Sequence, residues 1–237
     1  MSSKELLNSM PRVIAFLGTV GAGKSTHLEL LYLKFNKNMF RVKKAPALKT
    51  NHFFARTLTL FLVKLLTKKR KDVYPIKALI DEKPVVFRKL FKLWLFLDIF
   101  SIFIQFLVTI YFPLKRGYIV LVEEYIPAAI ADYTYMGRAL NVPFETFSFA
   151  VNFLIKLMQL AQAQVIFLNA DTRTLNIRWK HRGSLDEKSD YLHMQRTTLL
   201  SLSKKLTFHE LIYIDTTNQN IKETHELIIS RLNKFNV

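Results

Sequence analysis

The chain contains no cysteine. That excludes a disulfide framework, thiolate nucleophiles and cysteine-ligated zinc. Acidic residues are also few: 18 Asp and Glu stand against 35 Lys and Arg, a formal charge of +17. Such an excess suits anionic partners, whether nucleotides, nucleic acid or an anionic membrane surface. It equally suits a lysine-rich solvated surface, and it says nothing about fold. The segment Met1 to Pro11 lacks the apolar core of a signal peptide, so an intracellular, cytoplasmic protein is expected. There is no internal repeat, low-complexity tract or interdomain linker, and residues 1–237 are read as one domain. Half of the residues are hydrophobic, enough for one α/β core without staples.

Glycine is scarce as well, with six residues, yet three of them fall within Gly18 to Ser25. That stretch, Gly18-Thr19-Val20-Gly21-Ala22-Gly23-Lys24-Ser25, followed by Thr26, fits the phosphate-loop pattern G-x-x-x-x-G-K-[ST]. Arg12 to Leu17 is an apolar run of strand length before it, and a helical stripe through Leu28, Leu31 and Phe35 follows. Strand, glycine loop and helix are the context the motif requires. Glycines let backbone N–H groups approach phosphate oxygens, and the helix N-terminus adds partial positive charge. Lys24 is expected to reach the β- and γ-phosphates of ATP, and the Ser25 hydroxyl to ligate Mg²⁺.

Further along, Met39 to Lys44 reads as a second strand, Asn51 to Lys71 as a helix, and Asp72 to Val85 as a connector with at most a short helix. Leu93 to Phe112 is twenty residues with one acid, Asp98, and no base, which matches a membrane span in length and composition. A single crossing would separate the strands before and after it, which belong in one sheet. We therefore expect a buried core helix, with a dimer face or membrane contact as alternatives. Gly117 to Glu124 reads as a buried parallel strand ending in carboxylates. Ligands gather at the carboxyl ends of such strands, so Glu123 is placed to hold Mg²⁺ or accept a hydroxyl proton, with Glu124 pointing elsewhere. Asp132, Tyr133 and Tyr135 are candidates for a substrate wall. Gln164 to Asn169 and Glu210 to Asp215 are the last two strands, and Asp171 is placed to cap the helix reaching His181. The polar stretch from Arg182 to Asp190 is read as a mobile lid, with Arg178 and Arg182 at its entry to stabilise a transferring phosphoryl group.

Taken together, these residues resemble the thymidylate kinase family of P-loop nucleoside-monophosphate kinases. Besides the glycine loop, the resemblance rests on Lys43-Lys44-Ala45-Pro46, Pro113 to Tyr125, Arg178 to Gly183, and Tyr213-Ile214-Asp215-Thr216-Thr217. It implies a three-layer αβα P-loop NTPase fold around a five-stranded parallel sheet ordered 2-3-1-4-5, with a lid. It also implies Lys24, Glu123, Arg178 and Arg182 as catalytic residues and Gly18 to Thr26 with Thr216 for ATP. Lys44, Asp98, Tyr125 and Tyr133 would hold the acceptor, and Ser25 with Glu123 the Mg²⁺. The family's Asp-Arg-Tyr is Glu123-Glu124-Tyr125 here, its Arg-Glu-Pro glutamate is Ala45, and its central-helix aspartate-arginine pair is Asp98-Ile99. A glutamate cannot replace an arginine that grips a phosphate. Two functions are expected from this pattern: phosphoryl transfer from ATP to a nucleoside monophosphate (dTMP-like) or a nucleoside, or an ATP-binding non-catalytic paralogue acting as a partner or at a membrane surface. No nucleic-acid-binding module accompanies the positive charge.

Overall fold

The computed structural model describes residues 11–68, 74–181, 189–206 and 211–233. Five parallel strands form one sheet: β1 (Val13–Leu17), β2 (Val42–Ala45), β3 (Ile119–Glu123), β4 (Gln164–Asn169) and β5 (Ile212–Asp215). Their order is β2-β3-β1-β4-β5, as expected from the sequence. β1 lies at the centre and is buried along its whole length. Strand alternation sends Val13, Ala15 and Leu17 to one side of the sheet and Ile14 and Phe16 to the other.

The second side is thin. It is covered by α1 (Lys24–Lys37) through Leu28, Leu31 and Phe35, and by the C-terminal helix Ile221–Asn233 through Ile228 and Leu232. The first side is thick, built from α2 (Phe53–Leu66), α3 (Pro75–Glu82), α4 (Pro84–Phe106), α5 (Ile126–Ala139) and α6 (Ser148–Ala161). Two further helices, α7 (Thr172–His181) and α8 (Ser189–Leu206), precede β5, and the C-terminal helix is α9. An aromatic cluster locks the thick layer. Phe91 lies 6.1 Å from Trp94 and 6.4 Å from Phe147, and Trp94 meets Tyr133 edge-on at 6.3 Å. Each such fully buried aromatic contributes about 2–3 kcal/mol.

Two sequence expectations need correction. The second strand starts at Val42, not Met39. Met39 has φ 61° and donates to Asn36 O at 3.0 Å, and Phe40 N–H bonds Phe35 O at 3.0 Å, so these residues terminate α1 instead. The short helix expected at most between Pro75 and Pro84 is present as Pro75–Glu82, and each proline occupies a helix start, where a missing N–H costs nothing. The long apolar helix is not buried all round. Trp94, Leu95, Ile102 and Phe106 face the core, whereas Leu93, Phe96, Phe100, Val108 and Phe112 are exposed. It continues past Phe106 through a π-helical turn, Leu107–Tyr111, into a last turn, Phe112–Lys115. Pro113 lacks an N–H and its ring crowds the carbonyl of Thr109, and the widened turn absorbs the misfit.

Candidate functional site

The glycine loop leaves β1 at Gly18, whose φ is 139° and where a Cβ would lie 2.0 Å from Leu168 O. No other residue fits there. Gly23 has φ 94° and forms the N-cap of α1 without a side-chain cap, so the first N–H groups of that helix open onto the loop. The Lys24 side chain is 5% exposed, and its Nζ donates to Gly18 O and Thr19 O at 3.0 Å each. Ser25 Oγ donates to Glu123 Oε1 at 2.8 Å across the β1–β3 pair.

Glu124 does not point elsewhere. Its φ of 54° breaks the strand alternation and turns its carboxylate back to the loop. Oε1 lies 3.8 Å from Lys24 Nζ, and Oε2 lies 3.5 Å from Lys49 Nζ. Consecutive glutamates therefore address consecutive loop residues, Glu123 the serine and Glu124 the lysine.

The loop separates two cavities. The first, about 380 Å³, lies on the thick side, with Gly18 and Val20 as one wall and Lys49, Arg56, Glu124 and Asp132 among its lining. Thr50 Oγ1 donates to Asp132 Oδ2 at 2.8 Å, tying the post-β2 loop to α5. On α5, Ala128, Asp132, Tyr135 and Met136 share the helical face that lines the cavity. The second cavity, about 700 Å³, is lined by Gly21 to Gly23, Thr26, His27, Arg178 and Thr216. Arg178 spans it: Nη1 donates to Thr216 Oγ1 at 3.0 Å and to Gly21 O at 3.5 Å, and Nη2 to Thr216 O at 2.8 Å. Asp171 caps α7 by accepting from Thr174 N–H at 2.6 Å, and this bond holds its carboxyl below the usual range. His27 is held neutral, its pKa lowered to about 4 by burial, then by His225 and Arg178.

Other acceptor-side residues named from the sequence lie elsewhere. Lys44 sits in register with Leu121, whose side chain belongs to the thin side, and so turns away from the first cavity. Its Nζ pairs with Glu29 at 2.8 Å and lies 4.6 Å from the Tyr32 ring centre. Tyr125 is fully buried, its hydroxyl has no hydrogen-bond partner among the described residues, and burial raises its pKa. Asp98 and Tyr133 are also fully buried, behind the cavity wall. Tyr133 OH donates to Asp98 Oδ2 at 2.8 Å, and Asn51 N–H donates to Asp98 Oδ1 at 2.7 Å. Asn51 has φ 64° and lines the cavity, so the pair fixes a corner of the site rather than touching what enters it. Arg182 and the greater part of the 182–190 lid lie outside the described residues.

The sequence reading passed over Lys49 and Arg56 as site residues. Proximity to Pro46 gave Lys49 no signal that Lys44 lacked, while Arg56, the one base in the first two turns of an otherwise apolar helix, carried one. Among the described residues no three His, Cys, Asp or Glu cluster as a metal cage. Ser25 and Glu123 nonetheless fit Mg²⁺, which takes one or two protein oxygens and fills its shell with water and phosphate.

The sheet order, with a glycine loop joining the central strand to α1, defines a kinase-like P-loop fold. Two solved structures are similar to the chain. Deoxyadenosine kinase from M. mycoides with bound dCTP is 17% identical, with a TM-score of 0.52, over 94% of this chain and 99% of that one. Thymidylate kinase from Candida albicans is 14% identical, with a TM-score of 0.48, over 96% of this chain and 94% of that one. Neither a protein-family model nor a curated protein sequence matches the chain.

Proposed function

We propose that this protein transfers the γ-phosphoryl group of ATP to a hydroxyl of a nucleoside bound in the 380 Å³ cavity. The observation that carries the proposal is the loop itself: one short segment walls two cavities, and Lys24 and Glu124 meet at the boundary. Phosphoryl transfer needs little beyond that positioning and charge. ATP would take the Arg178–Thr216 cavity, with its phosphates along the backbone of Gly21 to Ser25. Mg²⁺ at Ser25 and Glu123 would neutralise charge on the β- and γ-phosphates. Lys24 would exchange its loop carbonyls for phosphate oxygens as charge develops. The acceptor oxygen would form a bond to Pγ, the bond from Pγ to the bridging oxygen of ADP would break, and the hydroxyl proton would pass to Glu124.

A carboxylate at that position suits a hydroxyl and opposes an acceptor phosphate. A second reading, a nucleoside monophosphate acceptor, is favoured by Arg56, whose guanidinium can grip phosphate with two parallel bonds. ADP release from Mg-ATP over a panel of nucleosides and monophosphates tests both. With a nucleoside acceptor, Glu124→Gln lowers kcat by about 10²-fold or more, as for loss of a general base. With a monophosphate, the same substitution lowers KM and spares kcat. A panel in which no acceptor accelerates ADP release would support the non-catalytic role instead.

A further inference from the structure

Helix α4 with its continuation to Lys115 is long and apolar enough to cross a membrane, yet half of its most apolar window is buried. Its inner face is core, and its far end leads into β3, which pairs with β1 and β2. It cannot leave the protein to span a bilayer. Its outer face is a separate matter. Leu93, Phe96 and Phe100 recur at three- to four-residue steps, half-buried Ile104 continues the row, and Val108 and Phe112 resume it one residue out of phase through the π turn; the five are 45–61% exposed. Phe54 of α2 lies 5.8 Å from Phe100, so the stripe continues onto a helix that also exposes Phe61 and Leu65. Apolar area on this scale is more than scattered surface residues supply.

Charge decides what covers it. From Lys83 to Val122 the one acidic residue is Asp98, and Asp98 is fully buried. Exposed Lys89 and Lys92 stand at one end of the stripe, and exposed Lys115 and Arg116 at the other. Phe53–Leu66 contains no acid either and exposes Arg56 and Lys64. A second copy of the chain packed on this face would meet cations with cations, whether the helices ran parallel or antiparallel. Like charges across an interface oppose pairing. An anionic lipid surface meets both features at once: the aromatic stripe enters the acyl boundary and the basic ends meet headgroups. We propose that the outer face of α4, with the adjoining edge of α2, seats the protein on an anionic membrane surface, with the helix lying in the interface plane.

The test is flotation of the full-length chain with vesicles of phosphatidylcholine alone and with about one-third phosphatidylserine. The expected result is binding to the anionic vesicles and much weaker binding to the neutral ones. Each surface cation removed lowers partitioning about fivefold, so Lys89→Gln with Lys92→Gln together lower it roughly twenty-five-fold. Phe96→Glu lowers it by roughly tenfold or more. Phe96 is 61% exposed, so the fold should tolerate the change, and an unshifted thermal melt checks this. Leu33→Glu, on the opposite side of the sheet and 55% exposed, should leave binding unchanged. Absence of binding to anionic vesicles overturns the proposal. So does unchanged binding by Phe96→Glu, or a dimer in light scattering that Phe96→Glu dissolves and vesicles do not displace.

Discussion

Replacing Asp98 with Asn should remove a pH dependence of stability that the wild-type chain carries. The Asp98 carboxyl is fully buried, and burial pushes its pKa from 3.8 to about 7, against the lowering effect of the Tyr133 and Asn51 hydrogen bonds. In the unfolded chain the same group titrates near its ordinary value of about 4. Between those values the folded state binds more protons than the unfolded state, so stability falls as pH rises from about 4 to about 7 and then levels off. From pH 5 to pH 7, with the slope fading as the folded carboxyl itself begins to ionise, the change is about 2 kcal/mol. His27, His52 and His225 work in the opposite direction, because burial lowers their pKa values and stability rises with pH as they lose their protons in the unfolded chain. The comparison must therefore be a difference between two proteins. Asparagine keeps the geometry, its amide oxygen accepting from Asn51 N–H and its NH₂ donating to the Tyr133 hydroxyl oxygen. Urea unfolding of wild type and Asp98→Asn at pH 5 and pH 7 is the assay. On going from pH 5 to pH 7, the wild type should lose about 2 kcal/mol relative to the variant. Parallel behaviour of the two proteins would refute the reasoning and mean that Asp98 stays ionised in the core.

Three further outcomes follow from the geometry. Gly18→Ala would push a Cβ into Leu168 O at a backbone φ of 139°, and should cost roughly 3 kcal/mol or more, seen as a large drop in Tm or loss of soluble protein. Thr59→Val removes the hydroxyl that accepts from Trp94 Nε1 at 3.0 Å and donates to Asn51 Oδ1, leaving a buried indole N–H unpaired. It should cost about 1–3 kcal/mol in urea unfolding, while Ser in its place should retain most of the stability. Glu124→Gln should divide the two acceptor readings by kinetics, through a fall in kcat for a nucleoside or a fall in KM for a monophosphate.

Local pattern made the glycine-loop side of the proposed site legible. The glycine loop, its flanking strand and helix, and the meeting of Ser25 with Glu123 at the end of β3 lie where spacing and strand ends put them. The side proposed for the acceptor is less legible because it depends on conformations that residue type does not announce. Glu124 reaches Lys24 through a left-handed backbone angle adopted by a residue that rarely takes it. Lys44 and Lys49 are five positions apart, and the choice between them turns on which side of the sheet a strand residue faces. Tyr133 and Asp132 are neighbours in sequence that face different ways on one helix, Asp132 into the cavity and Tyr133 into the core. Helical periodicity separated them in principle, since Ala128, Asp132 and Met136 form one row. Periodicity failed for α4 for the reverse reason: both of its faces are apolar, and the pattern of the helix alone does not say which one the core takes.

The most direct measurement is transfer of label from ATP carrying a radioactive γ-phosphate, in the presence of Mg²⁺ and a nucleoside panel, with Lys24→Ala as the blank. Label should appear on the hydroxyl of one nucleoside with the wild-type chain, and be lost with the variant, which lacks the Nζ that now bridges Gly18 O and Thr19 O beside Glu124. Label that stays in ATP with every nucleoside and monophosphate, or transfer that survives Lys24→Ala, would contradict phosphoryl transfer at this loop.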